Sequence, residues 1–325
     1  MRKIQLFDVF FALFVGSALM AEKSEIKIAK QYGLAYLPLM VAEEHKLIEK
    51  HAKSLGLDVE VSWITISGGA TANDALLSGS VDLVSAGVAP LIRLWDKTKG
   101  RVKILTSLNG MPQILNSSDK KIKTLRDFTE NNKIAVPSLK VSIQSLLLQM
   151  AVAKEYGIEN YDKLDHLTVV LKHSDALVAL TSGKSEIIAH FTQEPFAALE
   201  LQHPNIHEVL NSYDILGGEH TSVVFFTSED FYKNNPKLAS AIIAAVDEAI
   251  KQINADKSAA AKLYLKVSKS NEPLELIEKI IKNPDVVYAL KPTPNITLFS
   301  DFLFETGAIK TKPLSWKELT FDKIH

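Results

Sequence analysis

Residues 67–90 read SGGATANDALLSGSVDLVSAGVAP, and the rest of the chain is organised around them. Trp63 to Ile66 before this stretch is rich in β-branched residues and alternates weakly, as the tail of a strand does. Gly68 and Gly69 then allow a tight turn, and Thr71 to Leu77 carries a short helix. Val81 to Ala86 is an apolar run bounded by turns, the pattern of a buried parallel strand. The segment therefore supplies two strand-to-helix turns, at Ser67 to Ala70 and at Gly87 to Pro90. In open α/β sheets such turns lie at the carboxyl ends of the strands, where ligands bind and helix N-termini present free N–H groups.

Working outward, the alternation of strand and helix continues in both directions. Glu25 to Lys30 is a strand, followed by a loop from Gln31 to Tyr36 and one helix from Pro38 to Gly56. Leu57 to Ile66 is the second strand and Arg101 to Leu108 the fourth, so the first part reads βαβαβαβ. Asn109-Gly110-Met111-Pro112 is a turn cluster and a crossing into a second lobe. There Lys133 to Val136, Leu167 to Leu171, Glu186 to Ala189 and His207 to Leu210 read as strands. Helices Ile143 to Tyr156, Ser174 to Thr181 and Pro195 to Leu201 lie between them. Thr221 to Thr227 is a strand returning to the first lobe, and the remainder is mainly helical. The expected domains are 22–110 with 220–325 as a discontinuous first lobe, and 111–219 as the second. Asp74 to Asp82 is echoed by Asp175 to Glu186: each is a helix ending in a glycine turn and running straight into a strand.

Composition narrows the function classes. With 325 residues and 46% hydrophobic content the chain can build two ordinary cores. A net charge of -1 provides no bulk field for nucleic acid or an anionic membrane. Cysteine is absent, which excludes disulfides, thiolate catalysis, cysteine-ligated metal and lipid attachment through a cysteine. Met1 to Ala21 has the form of a secretory signal: Arg2 and Lys3, an apolar run from Val9 to Ala21, and small residues near a cut after Ala21. That run is shorter than the roughly 20 residues needed to span a bilayer. Export into a periplasm as a free protein is the expectation.

Several of these pieces, in this order, resemble the periplasmic substrate-binding proteins of ABC importers, in the branch for taurine, aliphatic sulfonates, nitrate and thiamine-pyrimidine precursors. The resemblance runs from about Ile26 to about Lys251. Its carriers are Tyr32-Gly33 with LPLMVAEEHKLIEKH, Ser67-Gly68-Gly69, ALLSGSVDLVSAGVAP, Ile134-Ala135-Val136-Pro137, Asp175 to Gly183, and Glu194-Pro195-Phe196. It implies a two-lobed α/β binding protein of type II, each lobe a mostly parallel sheet flanked by helices and joined by two crossing segments. Closure of the lobes would trap a small-molecule ligand, and an inner-membrane ABC permease would receive it from the closed, monomeric protein. No reaction, cofactor or nucleic-acid partner is implied.

By the same resemblance the ligand shell comes from strand-end loops of both lobes. The candidates are Tyr32, Leu34, Ser67, Gly68, Gly69, Gly87 and Val88 in the first, and Ser138, Lys140, Val141, Ser142, His190 and Glu194 in the second. Ser67 and Ser142 suit helix N-caps, a role that each could fill without touching a ligand. Tyr32 is placed either to stack on a planar ligand or to pack at the lobe edge. His190 and Glu194 stand four apart with no third ligand, so no metal is expected; His166 and His173 read as solvent-facing. Sulfonate-binding relatives usually carry a glycine and hydroxyl residues after the segment that corresponds to Ile134 to Pro137. Here Ser138-Leu139-Lys140-Val141-Ser142 stands instead, which leaves a heterocycle such as a pyrimidine open as ligand. The rival classes are a same-fold enzyme of menaquinone or thiamine-precursor type and an effector-sensing domain of a transcription regulator. Cysteine-free composition argues against the thiamine type, and no basic helix-turn-helix precedes the first strand.

Overall fold

The computed structural model describes residues 21–324; the expected signal over 1–21 lies outside them except for Ala21. Two five-stranded sheets form the centre of the molecule. The first contains β1 (Glu25–Lys30), β2 (Glu60–Thr65), β3 (Leu83–Gly87), β4 (Val102–Gly110) and β10 (Thr221–Ser228), in the order β2-β1-β3-β10-β4. The second contains β5 (Ile114–Ser117), β6 (Lys133–Val136), β7 (Thr168–Val170), β8 (Ile187–Thr192) and β9 (His207–Asn211), in the order β7-β6-β8-β5-β9. In each sheet the first three strands pair in parallel, and the fourth is antiparallel to both neighbours. The reversed strands, β10 and β5, are those that have just entered from the other sheet. Positions one to five of the two sheets therefore correspond, and the sequence echo falls on β3 and β8, third in each. Two crossings connect the sheets, between β4 and β5 and between β9 and β10. The expected two-lobed architecture is what the chain adopts.

Helices α1 (Leu37–Glu44), α2 (Leu47–Ser54), α3 (Gly69–Leu77), α4 (Val88–Lys97), α5 (Ile143–Tyr156), α6 (His173–Ser182) and α7 (Phe196–Leu201) link the strands. α8 (Ser212–Leu216) lies on the second crossing. α9 (Glu229–Asn234), α10 (Pro236–Ala255), α11 (Lys257–Ser268), α12 (Leu274–Lys282) and α13 (Ile296–Glu305) follow the return strand. β10 is buried along Thr221 to Thr227, because α4 covers one face of its sheet and the α1–α10 layer the other. α10 buries Leu238, Ala239, Ala241, Ile242, Ala245, Val246, Ala249, Ile250 and Ile253, the three- and four-residue spacing of a helix that offers one stripe to a core. A second apolar cluster runs without interruption from Val88, Leu91 and Ile92 on α4 through Ile143, Leu146 and Leu147 on α5 to Phe299 and Leu303 on α13. The lobes thus share one core, which is the closed arrangement.

Two expectations need correction. The single helix from Pro38 to Gly56 is two, broken where Lys46 takes a left-handed conformation (φ 49°). α1 is apolar and buried from Leu37 to Ala42, whereas α2 buries only Leu47, Ile48 and Ala52, and the break turns that face onto α10. β5 lies just beyond the turn cluster and escaped the pattern because its two polar residues, Asn116 and Ser117, are fully buried beside Ile114 and Leu115, so nothing alternates.

Candidate functional site

The carboxyl ends of β1, β3, β6 and β8 meet across the gap between the sheets, where they enclose a cavity of about 20 Å³. That is room for about one water molecule. Its first-lobe wall includes Gln31, Tyr36, Gly69, Gly87 and Pro90, and its second-lobe wall includes Ser142, Ile143, Gln144, His173 and Gln193. The polar wall is neutral: three carboxamides, a hydroxyl, a phenol and an imidazole.

Each polar group is positioned by strand-end geometry. Gln31 follows β1 directly; its Nε2 donates to the Ser85 carbonyl at 3.1 Å, and its Oε1 accepts the Gly68 N–H at 3.1 Å. One side chain therefore ties the loops after β1 and β2 to strand β3. Gly68 needs its left-handed φ of 86° to begin α3. Tyr36 ends a short 3₁₀ turn, where burial pushes its hydroxyl above the ordinary value while a hydrogen bond with Gln193 pulls the other way. Ser142 caps α5, accepting the Ser145 N–H at 3.2 Å and donating to the Ser138 carbonyl at 2.9 Å. Gln144 donates to Gln113 Oε1 at 2.7 Å, and Gln113 donates on to Ser222 Oγ at 2.8 Å. Gln113 and Ser212, one on each crossing, are also joined to each other: the Gln113 N–H donates to Ser212 Oγ at 2.8 Å and the Ser212 N–H to the Gln113 carbonyl at 2.9 Å, so Gln144 on the cavity wall is tied to both crossings.

The lobes touch at glycines. A Cβ built on Gly87 would lie 2.9 Å from both Cβ and Cγ2 of Ile143, and one on Gly68 would lie 2.6 Å from Ser138 Oγ. Hydrogen bonds to main-chain carbonyls close the same seam: Leu34 N–H donates to the Glu194 carbonyl at 3.1 Å, and Gln193 Nε2 donates to the Tyr32 carbonyl at 3.4 Å. At the outer rim, burial lowers the pKa of Arg93 on α4, partly opposed by Tyr161 and Asp165 of the second lobe.

Of the residues singled out from sequence, Gly69, Gly87 and Ser142 line the cavity, while Gly68 and Ser138 meet at its edge. Tyr32 is exposed at the rim, and Leu34 and Val88 are wholly buried in the core. Ser67 does not cap α3, whose N-cap is Gly68 with no side-chain bond. Lys140 points away from the cavity wall toward Asp165, 3.6 Å from its Oδ2, and Val141 lies beside it near Arg93. Glu194 turns its carboxylate onto the Ala198 N–H at 3.1 Å and contributes only its carbonyl to the seam. His190 lies on β8, not in the turn after it, and is fully buried behind the wall. His173, expected in solvent, is the residue in front of it. His166 does face outward, paired with Glu130 at 2.8 Å. The signal that could have found Gln31 and Gln193 is their shared place: each is a glutamine immediately after a parallel strand.

A buried polar chain runs back from the wall. His173 Nδ1 is 2.9 Å from His190 Nε2, His190 Nδ1 is 2.5 Å from Glu200 Oε1, and Asn116 Nδ2 donates to Glu200 Oε2 at 2.9 Å. Burial lowers His190 to about 3 and raises Glu200 to about 8, so the pair is neutral at pH 7. Folding thus moves Glu200 from 4.5 to about 8. Between those values folded Glu200 holds a proton that the unfolded chain releases, and the contribution of this group to stability falls as pH rises through that window. Glu194, raised to about 7 mainly by burial, acts in the same direction. Below about pH 6.5 the buried His173, His190 and His220, whose pKa values burial lowers, act in the opposite direction. We therefore expect the urea midpoint to drop between pH 7 and pH 8.5, and to drop less in Glu200→Gln; equal slopes in both proteins would refute the assignment.

Comparison with known proteins fits this geometry. The profile of the NMT1-like family matches residues 20–267. The chain belongs to that family. A sequence search of curated proteins finds no match. Among solved structures this NMT1-like protein is similar to the alkanesulfonate-binding protein SsuA from Xanthomonas axonopodis pv. citri, with a TM-score of 0.71 and 19% identity over 92% of this chain and 99% of the other. It is similar to the aliphatic sulphonate binding protein SsuA from Escherichia coli, with a TM-score of 0.66 and 19% identity over 93% of each chain. The nitrate-binding protein NrtA from Synechocystis PCC 6803 aligns with a TM-score of 0.63 and 18% identity, over 87% of this chain and 80% of the other. These neighbours share the two-lobed periplasmic binding protein fold. Among the described residues no helix is long and apolar enough to cross a membrane.

Proposed function

We propose that this NMT1-like protein is an exported solute-binding protein. It captures one small organic solute or anion between lobes 22–110 with 220–325 and 111–219, and hands it to the permease of an ABC importer. It performs no chemistry on its cargo. The observation that carries this reading is the cavity at the facing strand ends, walled by neutral polar groups of both lobes and tied through Gln144 and Gln113 to the two crossings. Opening at that hinge admits a solute, and closure brings groups of both lobes around it, so binding favours the closed population. The similar proteins named for sulfonate and nitrate support an oxyanion; carboxamides and an imidazole hold a small oxyanion without a formal positive charge.

The test uses protein released by osmotic shock and a panel of nitrate, ethanesulfonate, taurine and 4-aminopyrimidine. A ligand at about 100 times its Kd adds about 2.7 kcal/mol of stability. At about 2–4 °C per kcal/mol for a protein near this size, one member of the panel should raise Tm by about 5–10 °C. A flat response to all four would sink the reading.

A further inference from the structure

The chain from Asn116 through Glu200 and His190 to His173 does more than fill the second lobe. It begins at a buried carboxylic acid and ends at an imidazole on the cavity wall. Among the ring nitrogens and carboxyl oxygens of the chain, only His173 Nε2 has no partner among the described residues. His173 is held in place by stacking on Phe196, with ring centroids 5.4 Å apart, and by Thr192 Oγ1 at 3.3 Å from Nδ1. Because imidazole has one N–H when neutral, the bonds already made dictate what the last nitrogen offers.

Two proton arrangements satisfy the chain. With Glu200 ionised, His190 Nδ1–H donates to the carboxylate, His190 Nε2 accepts from His173 Nδ1–H, and His173 Nε2 is a bare acceptor. With Glu200 protonated, its O–H donates to His190 Nδ1, His190 Nε2–H donates to His173 Nδ1, and His173 Nε2–H is a donor. The second arrangement holds one proton more than the first, and that proton resides on Glu200. Asn116 fits both, since its Nδ2–H donates to the other carboxyl oxygen in either.

We propose that this chain is a proton relay that sets the specificity of the cleft: an oxyanionic ligand is met by His173 Nε2–H, and its capture is coupled to a proton on Glu200, some distance behind the wall. His173 is the contact residue; His190 and Glu200 are positioning residues that fix its tautomer. The proposal rests on the reading of the cleft as a solute site and names the ligand class for it. Glu200 faces His190 from β8, Asn116 from β5, and His203 and Glu194 from the ends of its own helix, while Glu208 of β9 acts on Glu194. Burial holds Glu200 protonated at pH 7 and keeps both histidines from becoming cationic, which leaves the relay in its donor form at that pH.

Two measurements test it. The first needs no ligand: ¹⁵N shifts of the histidine rings in the full chain at pH 6.5 and 9.5. His173 should be the Nε2–H tautomer at the lower pH and the Nδ1–H tautomer at the higher one. In Glu200→Gln, whose amide donates to His190 and accepts from Asn116 as the protonated acid does, it should stay Nε2–H throughout. An unchanged tautomer in the wild type overturns the relay, whether or not the variant folds. The second is calorimetry with nitrate and ethanesulfonate in buffers of different ionisation enthalpy. The wild type should take up close to one proton per anion at pH 9.5 and none at pH 6.5. Its affinity should weaken about tenfold per pH unit once Glu200 ionises. Glu200→Gln should take up none at either pH. Proton uptake that persists in Glu200→Gln overturns the role of Glu200. Binding of 4-aminopyrimidine in place of both anions overturns the oxyanion assignment while leaving solute capture standing, and no binding of these three or of taurine overturns both.

Discussion

Gly87→Val should weaken ligand affinity by about 5- to 150-fold while leaving each lobe folded. Gly87 ends β3 with an ordinary φ of −59°, so a side chain there strains no backbone. The only close atoms are Cβ and Cγ2 of Ile143, 2.9 Å from the added Cβ and on the opposite lobe. The collision therefore exists only when the lobes are shut. Overpacking of this kind costs about 1–3 kcal/mol, and in a closure-driven binder that energy is subtracted from the closed state alone. Titration calorimetry would give the loss, and small-angle scattering should show a larger radius of gyration for the variant with ligand present. Unaltered affinity would mean that the cleft does not shut on its ligand as described. Gly68 is a poorer probe, because its φ of 86° makes any substitution strained by itself.

Gly69→Val, two turns away in the same lobe, should fail differently. Its added Cβ would lie 2.2 Å from Pro90 Cγ and 2.9 Å from Pro90 Cβ, both in the first lobe. From sequence, the paired glycines suggest that a bulky residue here abolishes binding and spares the fold. The structure reverses the order of cause: the first turns of α3 and α4 must part before binding is affected. The same range of about 1–3 kcal/mol now falls on folding, at about 2–4 °C of Tm for each kcal/mol. Thermal denaturation without ligand would decide it. A wild-type Tm in Gly69→Val would show that Pro90 yields, and a wild-type Tm with lost binding would restore the first interpretation.

The difference between these two glycines shows how far the residues could be read. Both stand in the opening motif, both follow a strand, and both line the cavity. Nothing local distinguishes one that faces Pro90 from one that faces Ile143, because Ile143 lies 56 positions along the chain and enters only when the second lobe closes. The same holds for His173. Its neighbours Lys172, Ser174 and Asp175 are exposed, which is why it reads as a solvent residue. Its partner His190 lies on a different element and draws it onto the wall.

Local pattern determined most of the strands and helices of this chain, to the residue at Glu25–Lys30, Lys133–Val136 and Ile143–Tyr156, and through them the alternation that requires two sheets. The reason is that hydrophobic period and turn chemistry act over a few residues, and so are written contiguously. Only the tertiary structure decided which groups face the cleft: that Gln31 and Gln193 do while Lys140 and Ser67 do not, and that a buried glutamic acid stands two histidines behind the wall. Those placements depend on desolvation and on contacts between elements far apart in sequence, and neither leaves a periodic trace in the chain.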